Sequence, residues 1–319
     1  MTIEQIRQAR ERLAPYLRPT PLVLSETLSR TTGLRVWLKL ESQQPTGAFK
    51  VRPALNGMLA RLDQARKAGV ITSSSGNFAQ AVAYAAGKLG VSAQIVMMKN
   101  SSPFKIEGAR KLGGEIVFCE NTFKDRWDAT FRIERESGRL LLHPYDSEET
   151  IAGDGTIGLE LAGQLATDFT VLVPISGGGL ISGIASALKA QRAGCRVIGV
   201  QPLANGSMKK SMEQGSRVTV TPAPSMADAL VVATPGERTF AIVQKLVEDV
   251  VLVEEEEIAS AVRTLAVEQK LVVEPGGAVG VAALLAGKIQ TQNHDVVCIL
   301  SGGNIQPAKL AELLAAGAP

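Results

Sequence analysis

The chain has 319 residues, of which 45% are hydrophobic, and a formal net charge of +3. This length and apolar content predict two domains or one large α/β body, and they exclude a mainly disordered chain. Lys and Arg are scattered among Asp and Glu, so we expect no nucleic-acid partner. The longest apolar stretch, residues 278–286, is too short to span a bilayer, so we expect no membrane partner either.

The first residues and the cysteines indicate a cytoplasmic protein. Thr2 and Gln5 have capping-box spacing before an amphipathic pattern, unlike the basic start and apolar run of a signal peptide. Cys119, Cys195 and Cys298 are far apart and lie in or beside apolar runs, which predicts buried thiols. With two histidines and no Cys-x-x-Cys pair, we expect no transition-metal site.

Short runs rich in Val, Ile and Leu alternate with helical patterns, which is typical of parallel sheets flanked by helices. The predicted strands are residues 36–40, 70–73, 94–98, 116–119, 170–175, 197–200, 250–253 and 296–300. The predicted helices are residues 51–66, 78–89, 105–112, 180–191, 255–269 and 278–286. No Gly/Ser-rich or Pro-rich linker marks a boundary between domains.

Three loops that contain glycine each follow a predicted strand, where ligands collect in open α/β sheets. The loop 73–78 offers backbone N–H groups to a carboxylate or phosphate, although Ser and Asn are also common helix caps. The loop 176–180 has three consecutive glycines, which favours a phosphate site over an ordinary turn. The loop 301–304 is weaker evidence, because its Ser could bond a ring nitrogen or cap the next helix.

Lys50 lies in a turn-rich segment, residues 44–52, just before a predicted helix. A lysine considered alone is usually a solvated surface residue. A desolvated amine beside a phosphate-binding loop is instead suited to forming a Schiff base. The neighbouring glycine loops therefore make Lys50 the candidate nucleophile.

Four motifs together resemble the serine/threonine dehydratase family of fold-type II pyridoxal-phosphate enzymes, in order and spacing across nearly the whole chain. They are GAFKVR at 47–52, SSGN at 74–77, the glycine loop at 176–180 and SGGN at 301–304. The resemblance implies a tryptophan synthase β-like α/β fold with two parallel-sheet domains. It assigns 1–50 and 144–319 to a large cofactor-binding domain and 51–143 to a small inserted one, and it implies a homodimer.

The same resemblance implies a role for each site residue around pyridoxal 5'-phosphate. Lys50 would bind the cofactor covalently and move the α-proton of the substrate. The residues implied to hold the cofactor are Asn77, Gly177, Gly178, Gly179, Leu180 and Ser301. The residues implied to hold the amino-acid substrate are Ser74, Ser75, Gly76, Asn77 and Phe78. Ser301 would meet the pyridine nitrogen, where a neutral hydroxyl leaves the ring a weaker electron sink.

The implied reaction is loss of water from a β-hydroxy amino acid such as L-threonine or L-serine, which gives a 2-oxo acid and ammonia. Ser75 keeps a serine-type racemase as the close alternative, because its hydroxyl could act as a second acid/base opposite Lys50; we therefore count both as catalytic candidates. An NAD-dependent oxidoreductase is a remote alternative, suggested by glycines at 153, 155 and 158. No strand is predicted before those glycines, which disfavours it.

Three positions depart from the common family pattern. Phe78 stands where His is frequent, and a packing role for its ring competes with a substrate contact. Asp154 stands where Gln is usual, either as a charge near the site or as a surface turn residue. Gln201 replaces a Glu of metal-binding relatives, so we expect no divalent-metal site. The sequence ends at Pro319, so we also expect no regulatory domain and no inhibition by isoleucine.

Overall fold

Ten strands and fourteen α-helices lie within residues 1–316, which are the residues described by this computed structural model. The strands are β1 (Leu22–Leu24), β2 (Arg35–Lys39), β3 (Val70–Ser73), β4 (Ala93–Met98), β5 (Glu115–Cys119), β6 (Leu140–Leu141), β7 (Phe169–Pro174), β8 (Arg196–Pro202), β9 (Asp249–Val253) and β10 (Asp295–Ile299). The helices are α1 (Ile3–Leu13), α2 (Glu26–Thr32), α3 (Val51–Ala60), α4 (Leu62–Ala68), α5 (Asn77–Leu89), α6 (Pro103–Lys111), α7 (Phe123–Ser137), α8 (Glu148–Gln164), α9 (Gly179–Gln191), α10 (Ser207–Gln214), α11 (Glu237–Leu246), α12 (Glu255–Val267), α13 (Pro275–Leu285) and α14 (Pro307–Ala315).

The strands form two separate sheets. One has the order β1-β2-β10-β7-β8-β9, and the other has the order β5-β4-β3-β6. All neighbouring strands are parallel except β1 and β2. The chain leaves the first sheet after β2, builds the whole second sheet, and returns to the first at β7. The expected fold class, two parallel-sheet α/β domains, is therefore confirmed.

The core of the six-stranded sheet lies on both of its faces. Along β7, Leu172 packs into one apolar cluster, with side chains of α12 and α13. Its neighbours Val171 and Val173 pack into another, with side chains of α8, α9 and α11. Successive strand residues point to opposite faces, so a strand buried on both sides is apolar throughout.

The eight predicted strands are all present, with ends that differ by at most two residues. The short strands β1 and β6 were not predicted. The single predicted helix at 51–66 is wrong, because Arg61 has φ −136° and divides it into α3 and α4. Helices α7 and α8 were not predicted either, since α7 is highly charged and α8 contains four glycines, which have low helix propensity.

The glycines inside α8 allow other backbones to pass close to it. A Cβ on Gly153 would lie 2.8 Å from the Cα of Pro53, and one on Gly155 would lie 3.0 Å from the carbonyl oxygen of Gly183. A Cβ on Gly158 would clash with α9 in the same way. These glycines therefore form a helix-packing surface in the middle of a helix. The dinucleotide-binding interpretation of their spacing is wrong, because that motif requires a strand-to-helix loop.

A buried ionic network holds the start of α3 against the six-stranded sheet. Arg52 donates to Glu41 from Nε and Nη2, at 2.8 Å each, and to Glu160 of α8 from Nη1 at 2.6 Å. Lys39, at the end of β2, donates to the same Glu160 at 2.5 Å. Burial opposes ionisation of Glu41, but the Arg52 guanidinium prevails and lowers the pKa of that carboxyl. The segment that follows Lys50 is thus firmly placed.

Cys119, Cys195 and Cys298 are free and buried, as predicted. Between residues 1 and 316, no helix combines the length and apolar character needed to cross a membrane.

Candidate active site

One cavity of about 640 Å³ lies where the three glycine-containing loops meet. The loops follow β3, β7 and β10, because the parallel strands direct their carboxyl ends toward the same region. The cavity is lined by all of the residues proposed from sequence, namely Lys50, Ser74, Ser75, Gly76, Asn77, Phe78, Gly177, Gly178, Gly179, Leu180 and Ser301. The fold thus brings together side chains from distant parts of the chain.

Lys50 immediately precedes α3 and extends its amine into the cavity. Its Nζ donates to the carbonyl oxygen of Pro144 at 2.6 Å and lies 4.8 Å and 5.5 Å from the ring centres of Phe49 and Phe78. Burial lowers the pKa of Lys50, and the nearby Asp154 carboxylate opposes this change. A desolvated amine loses its proton more readily than a surface lysine and can then attack a carbonyl carbon.

Asp154 is completely buried inside α8, so the alternative of a surface turn residue is wrong. Neither of its carboxylate oxygens has a hydrogen-bond partner among the described residues. A Cβ placed on Gly179 would lie 3.1 Å from Oδ2, which locates the carboxyl group against the glycine loop. Burial raises the pKa of Asp154 to about 7, against the opposing effect of the Lys50 ammonium. A carboxyl group with a pKa raised toward neutrality therefore lies directly behind the glycine loop.

The glycine loop at 176–179 leads into the N-terminus of α9. Gly178 has φ +99°, a conformation that favours glycine. The carbonyl oxygen of Gly177 accepts hydrogen bonds from Thr239 Oγ1 at 2.6 Å and from Gly236 N at 3.1 Å. The N–H groups of Ser176, Gly177 and Gly178 donate to no atom of the described residues. Unpaired amides at a helix N-terminus are suited to a phosphate group.

The second loop, residues 74–77, leads into α5 on the opposite side of the cavity. Its Ser75 Oγ accepts a hydrogen bond from Ser101 Oγ at 3.0 Å and lies 3.4 Å from Arg126 Nη1. The ring of Phe78 is 2% exposed and belongs to the core of the four-stranded sheet. It therefore has the packing role expected as an alternative, while one side of it also lines the cavity.

Asn77 is held by Asn304, from the predicted loop 301–304, and by Glu274, which was not predicted to lie in the site. Its Nδ2 donates to Glu274 Oε1 at 2.6 Å, and its Oδ1 accepts from Asn304 Nδ2 at 2.8 Å. Burial raises the pKa of Glu274 to about 7, although the hydrogen bond from Asn77 favours the ionised form. The feature of the sequence that could have singled out Glu274 is its position directly before Pro275, the proline that starts α13.

Further side chains of the cavity were not among the site residues proposed from sequence. They are Ser101, Lys105, Arg126, Tyr145 and Asp228. Arg126 was missed because α7 was not predicted, and an arginine in so charged a segment resembles a surface residue. Tyr145 follows His143 and Pro144 in the chain, but only the fold places it under the glycine loop, where a Cβ on Gly177 would meet its ring.

The buried side chain of Gln201, where we expected no divalent-metal site, has a structural role. Gln201 is buried, and its Oε1 accepts from the N–H groups of Met208 and Lys209 at 3.1 Å each, at the start of α10. Within residues 1–316, no three His, Cys, Asp or Glu side chains are grouped to hold a metal ion.

The donor groups of the cavity fit pyridoxal 5'-phosphate. A desolvated amine at Lys50 suits its aldehyde, and the unpaired amides at 176–178 suit its phosphate. The side chains of Asn77 and Ser301 supply polar groups elsewhere in the same cavity. An aldehyde, a phosphate and a polar ring are the functional groups that such a set would bind.

Comparison with known proteins agrees with this geometry. A family model described as pyridoxal-phosphate dependent enzyme matches residues 13–302. L-threonine ammonia-lyase of Geobacter sulfurreducens is 41% identical over 312 residues, covering 98% of this chain and 78% of that protein. The structure of maize serine racemase matches with a TM-score of 0.94 and 36% identity, covering 99% of this chain and 97% of that one. The structure of a T.th. threonine deaminase matches with a TM-score of 0.90 and 39% identity, covering 96% and 99%. The resemblance proposed from sequence is confirmed, and the chain belongs to the pyridoxal-phosphate dependent enzyme family.

Proposed function

We propose that this enzyme is an ammonia-lyase that removes water from a β-hydroxy amino acid such as L-threonine or L-serine, giving a 2-oxo acid and ammonia. The observation that carries the proposal is the desolvated Lys50 amine, which shares one cavity with the glycine loop and with residues 74–78. The names of two relatives, an L-threonine ammonia-lyase and a threonine deaminase, support the same chemistry.

Different site residues have different roles in this reaction. When bound, the cofactor supplies a carbonyl for the substrate amine and a ring that stabilises negative charge at the substrate Cα. Lys50 Nζ removes the α-proton, and the amides and hydroxyls of residues 74–77 hold the α-carboxylate. The Cβ–O bond then breaks, and the hydroxyl group leaves as water with the proton that Lys50 has taken from Cα. The resulting enamine is hydrolysed by water to the 2-oxo acid and ammonia, so the water that is lost is regained.

Racemisation is a second candidate, and it is favoured by Ser75. The Ser75 hydroxyl lies in the same cavity as Lys50 and is hydrogen-bonded to Ser101 at 3.0 Å, so it could exchange a proton with the substrate. The structural match to maize serine racemase supports this alternative.

The experiment that tests the proposal compares the wild type with Lys50→Ala. We expect Lys50→Ala to abolish both ammonia release from β-hydroxy amino acids and the visible absorbance of the covalently bound cofactor. Lys88→Ala is the matched control, since that exposed lysine lies on α5 away from the cavity, and it should leave both signals unchanged. Full ammonia release from Lys50→Ala would exclude Lys50 as the catalytic base.

Chiral analysis of the serine that remains in the same assay separates the two candidate activities. Ammonia release without accumulation of D-serine supports the lyase. Accumulation of D-serine without ammonia release supports the racemase instead.

We also propose the domain bounds, assembly and location of the enzyme. The small domain would comprise residues 51–143, which include all four strands of the second sheet. A homodimer is supported by the edge strand β1, where Val23 and Leu24 are 45% and 40% exposed. The three free thiols are consistent with the reducing environment of the cytoplasm.

A further inference from the structure

Arg126 is a cation of the active-site cavity that has no carboxylate partner among residues 1–316. It projects from the first turn of α7, with its guanidinium 5.0 Å from the ring centre of Phe123. Its Nε is buried without a hydrogen-bond partner, and no ion pair among residues 1–316 includes it. The one hydrogen bond of its guanidinium in the described structure is the long contact from Nη1 to Ser75 Oγ, at 3.4 Å.

The other two cations that line the cavity each have a partner or a proposed role. Lys105 forms an ion pair with Asp228, and Lys50 is the proposed reactive amine. Burial lowers the pKa of Arg126, but a guanidinium remains charged in proteins. A half-buried charge that has lost part of its hydration and has no partner is costly, and an anionic ligand would remove that cost.

The position of Arg126 indicates which part of a substrate it would meet. Ser75 belongs to the loop that we assign to the α-carboxylate, and its hydroxyl lies within 3.4 Å of Arg126 Nη1. In an amino acid with a carboxyl group on Cβ, the two carboxyl carbons are attached to adjacent carbon atoms. Binding groups for two such carboxylates must therefore be neighbours, as this loop and Arg126 are. Ser101, which donates to Ser75, adds a hydroxyl beside them.

We propose that Arg126 binds a second carboxylate of the substrate, so that the enzyme acts best on β-hydroxy dicarboxylic amino acids of the 3-hydroxyaspartate type. This inference rests on the proposed lyase function and specifies its substrate class. Loss of the α-proton and of the β-hydroxyl group as water, followed by hydrolysis of the enamine, converts 3-hydroxyaspartate to oxaloacetate and ammonia. The guanidinium suits this partner, because its planar pair of N–H groups matches a carboxylate.

The first test compares kcat/KM for L-threonine, L-serine and the stereoisomers of 3-hydroxyaspartate. In the wild type, one 3-hydroxyaspartate should exceed L-threonine by at least about tenfold, since a hydrogen bond to a charged group contributes roughly 10- to 100-fold. Arg126→Gln should lower kcat/KM for 3-hydroxyaspartate by roughly 10- to 100-fold. It should change kcat/KM for L-threonine by less than about threefold. Arg126→Lys, which keeps the charge but loses the planar fork, should fall between the two.

The matched control is Arg132→Gln, on the same helix, where the arginine is exposed and pairs with Glu136 at the surface. It should behave as the wild type toward every substrate. An equal loss for L-threonine and 3-hydroxyaspartate in Arg126→Gln would assign Arg126 to the α-carboxylate and overturn the proposal. Equal wild-type activity toward both substrate classes would overturn it as well.

A second test does not depend on turnover. L-aspartate and L-2-aminobutyrate both lack the leaving hydroxyl group and differ in whether the side chain ends in a carboxylate or a methyl group. Thermal stabilisation of the cofactor-bound enzyme should be larger with aspartate in the wild type, and Arg126→Gln should abolish that preference. Equal stabilisation by the two compounds in the wild type would contradict the carboxylate subsite.

The two tests also separate this inference from the function on which it rests. If the wild type released ammonia from none of the amino acids, the lyase proposal would fail. The aspartate preference and its loss in Arg126→Gln would still decide whether Arg126 forms a carboxylate subsite.

Discussion

Asp154 shows how a single buried carboxyl group affects the electrostatics of this site. The carboxyl group is completely buried, has no hydrogen-bond partner in the described structure, and lies against the glycine loop. The largest charge effect that opposes the burial of Asp154 comes from the Lys50 ammonium, whose own pKa is lowered by burial. Each of the two groups is therefore less readily ionised than it would be at the surface.

The raised pKa of Asp154 makes the stability of the protein depend on pH. Between about pH 4, the usual value for Asp, and about 7, the folded state binds a proton that the unfolded chain has lost. The free energy of unfolding should therefore fall as the pH rises through this window. Asp154→Asn removes this titration and should reduce the fall between pH 5 and pH 8 by on the order of 1–3 kcal/mol.

The measurement is urea unfolding of the cofactor-free protein at the two pH values. Asp63→Asn, at an exposed position of α4, is the control and should retain the wild-type dependence. Identical pH dependence in wild type and Asp154→Asn would show that the carboxyl group is ionised throughout this range.

At the scale of elements, the crossing of α8 and α9 determines how the glycine loop is supported. α8 carries Asp154, and α9 begins directly at the loop, so their separation sets the position of both groups. The helices approach closely because small residues face each other: a Cβ on Gly183 would clash with the backbone of Gly155 and Ile151. Since backbone atoms line this contact, a larger side chain cannot be accommodated by a rotamer change.

Gly183→Ala should therefore destabilise the protein by about 1–3 kcal/mol and lower its cofactor content, because α9 must move away from α8. Gly163→Ala is the matched control, since it lies on α8 with no atom within 4 Å of the added Cβ. That control should be neutral or stabilising by up to about 1 kcal/mol, because alanine favours the helix. Urea unfolding and cofactor absorbance measure both effects. Equal stability of the two variants would mean that the helices can separate freely.

At the scale of the whole molecule, a buried ionic network ties α3 to the six-stranded sheet. Arg52 joins Glu41, which follows β2, to Glu160 of α8, and Lys39 joins the same Glu160. Lys50 lies two residues before Arg52, so the network also fixes the position of the reactive amine. In this way the segment that leads from the first sheet toward the second is anchored at its start.

Arg52→Met should destabilise the protein by about 3–5 kcal/mol, because it leaves the buried Glu41 carboxylate without its ion-pair partner and leaves Glu160 with Lys39 alone. Arg61→Met is the control, since the ion pair of Arg61 with Glu149 is partly exposed and should contribute no more than about 1 kcal/mol. Adding Glu41→Gln to Arg52→Met should recover part of the loss, as measured by urea unfolding. If the double variant were less stable than Arg52→Met, unpaired charge on Glu41 would not be the cause of the loss.

Much of the fold and of the candidate site could be predicted because it depends on local patterns. Buried parallel strands are apolar throughout, so runs such as residues 70–73 were placed correctly by hydrophobicity alone. Loops that bind anions need glycine and small polar residues, which identified residues 176–180 and 74–77 as parts of a site. Lys50 was recognised from the motifs around it.

The tertiary structure decided what depends on packing between distant segments. Asp154, Glu274 and Arg126 have ordinary local sequences. Only the fold shows that the first two are buried and that the third has no carboxylate partner in the described part of the chain. α8 was not predicted because its glycines lower helix propensity, while their benefit, close approach to α3 and α9, arises only after folding. Local sequence thus determined the fold class, the cofactor loops and the nucleophile. Burial and charge pairing, which depend on residues far apart in the chain, determined the electrostatics and the substrate preference that we propose.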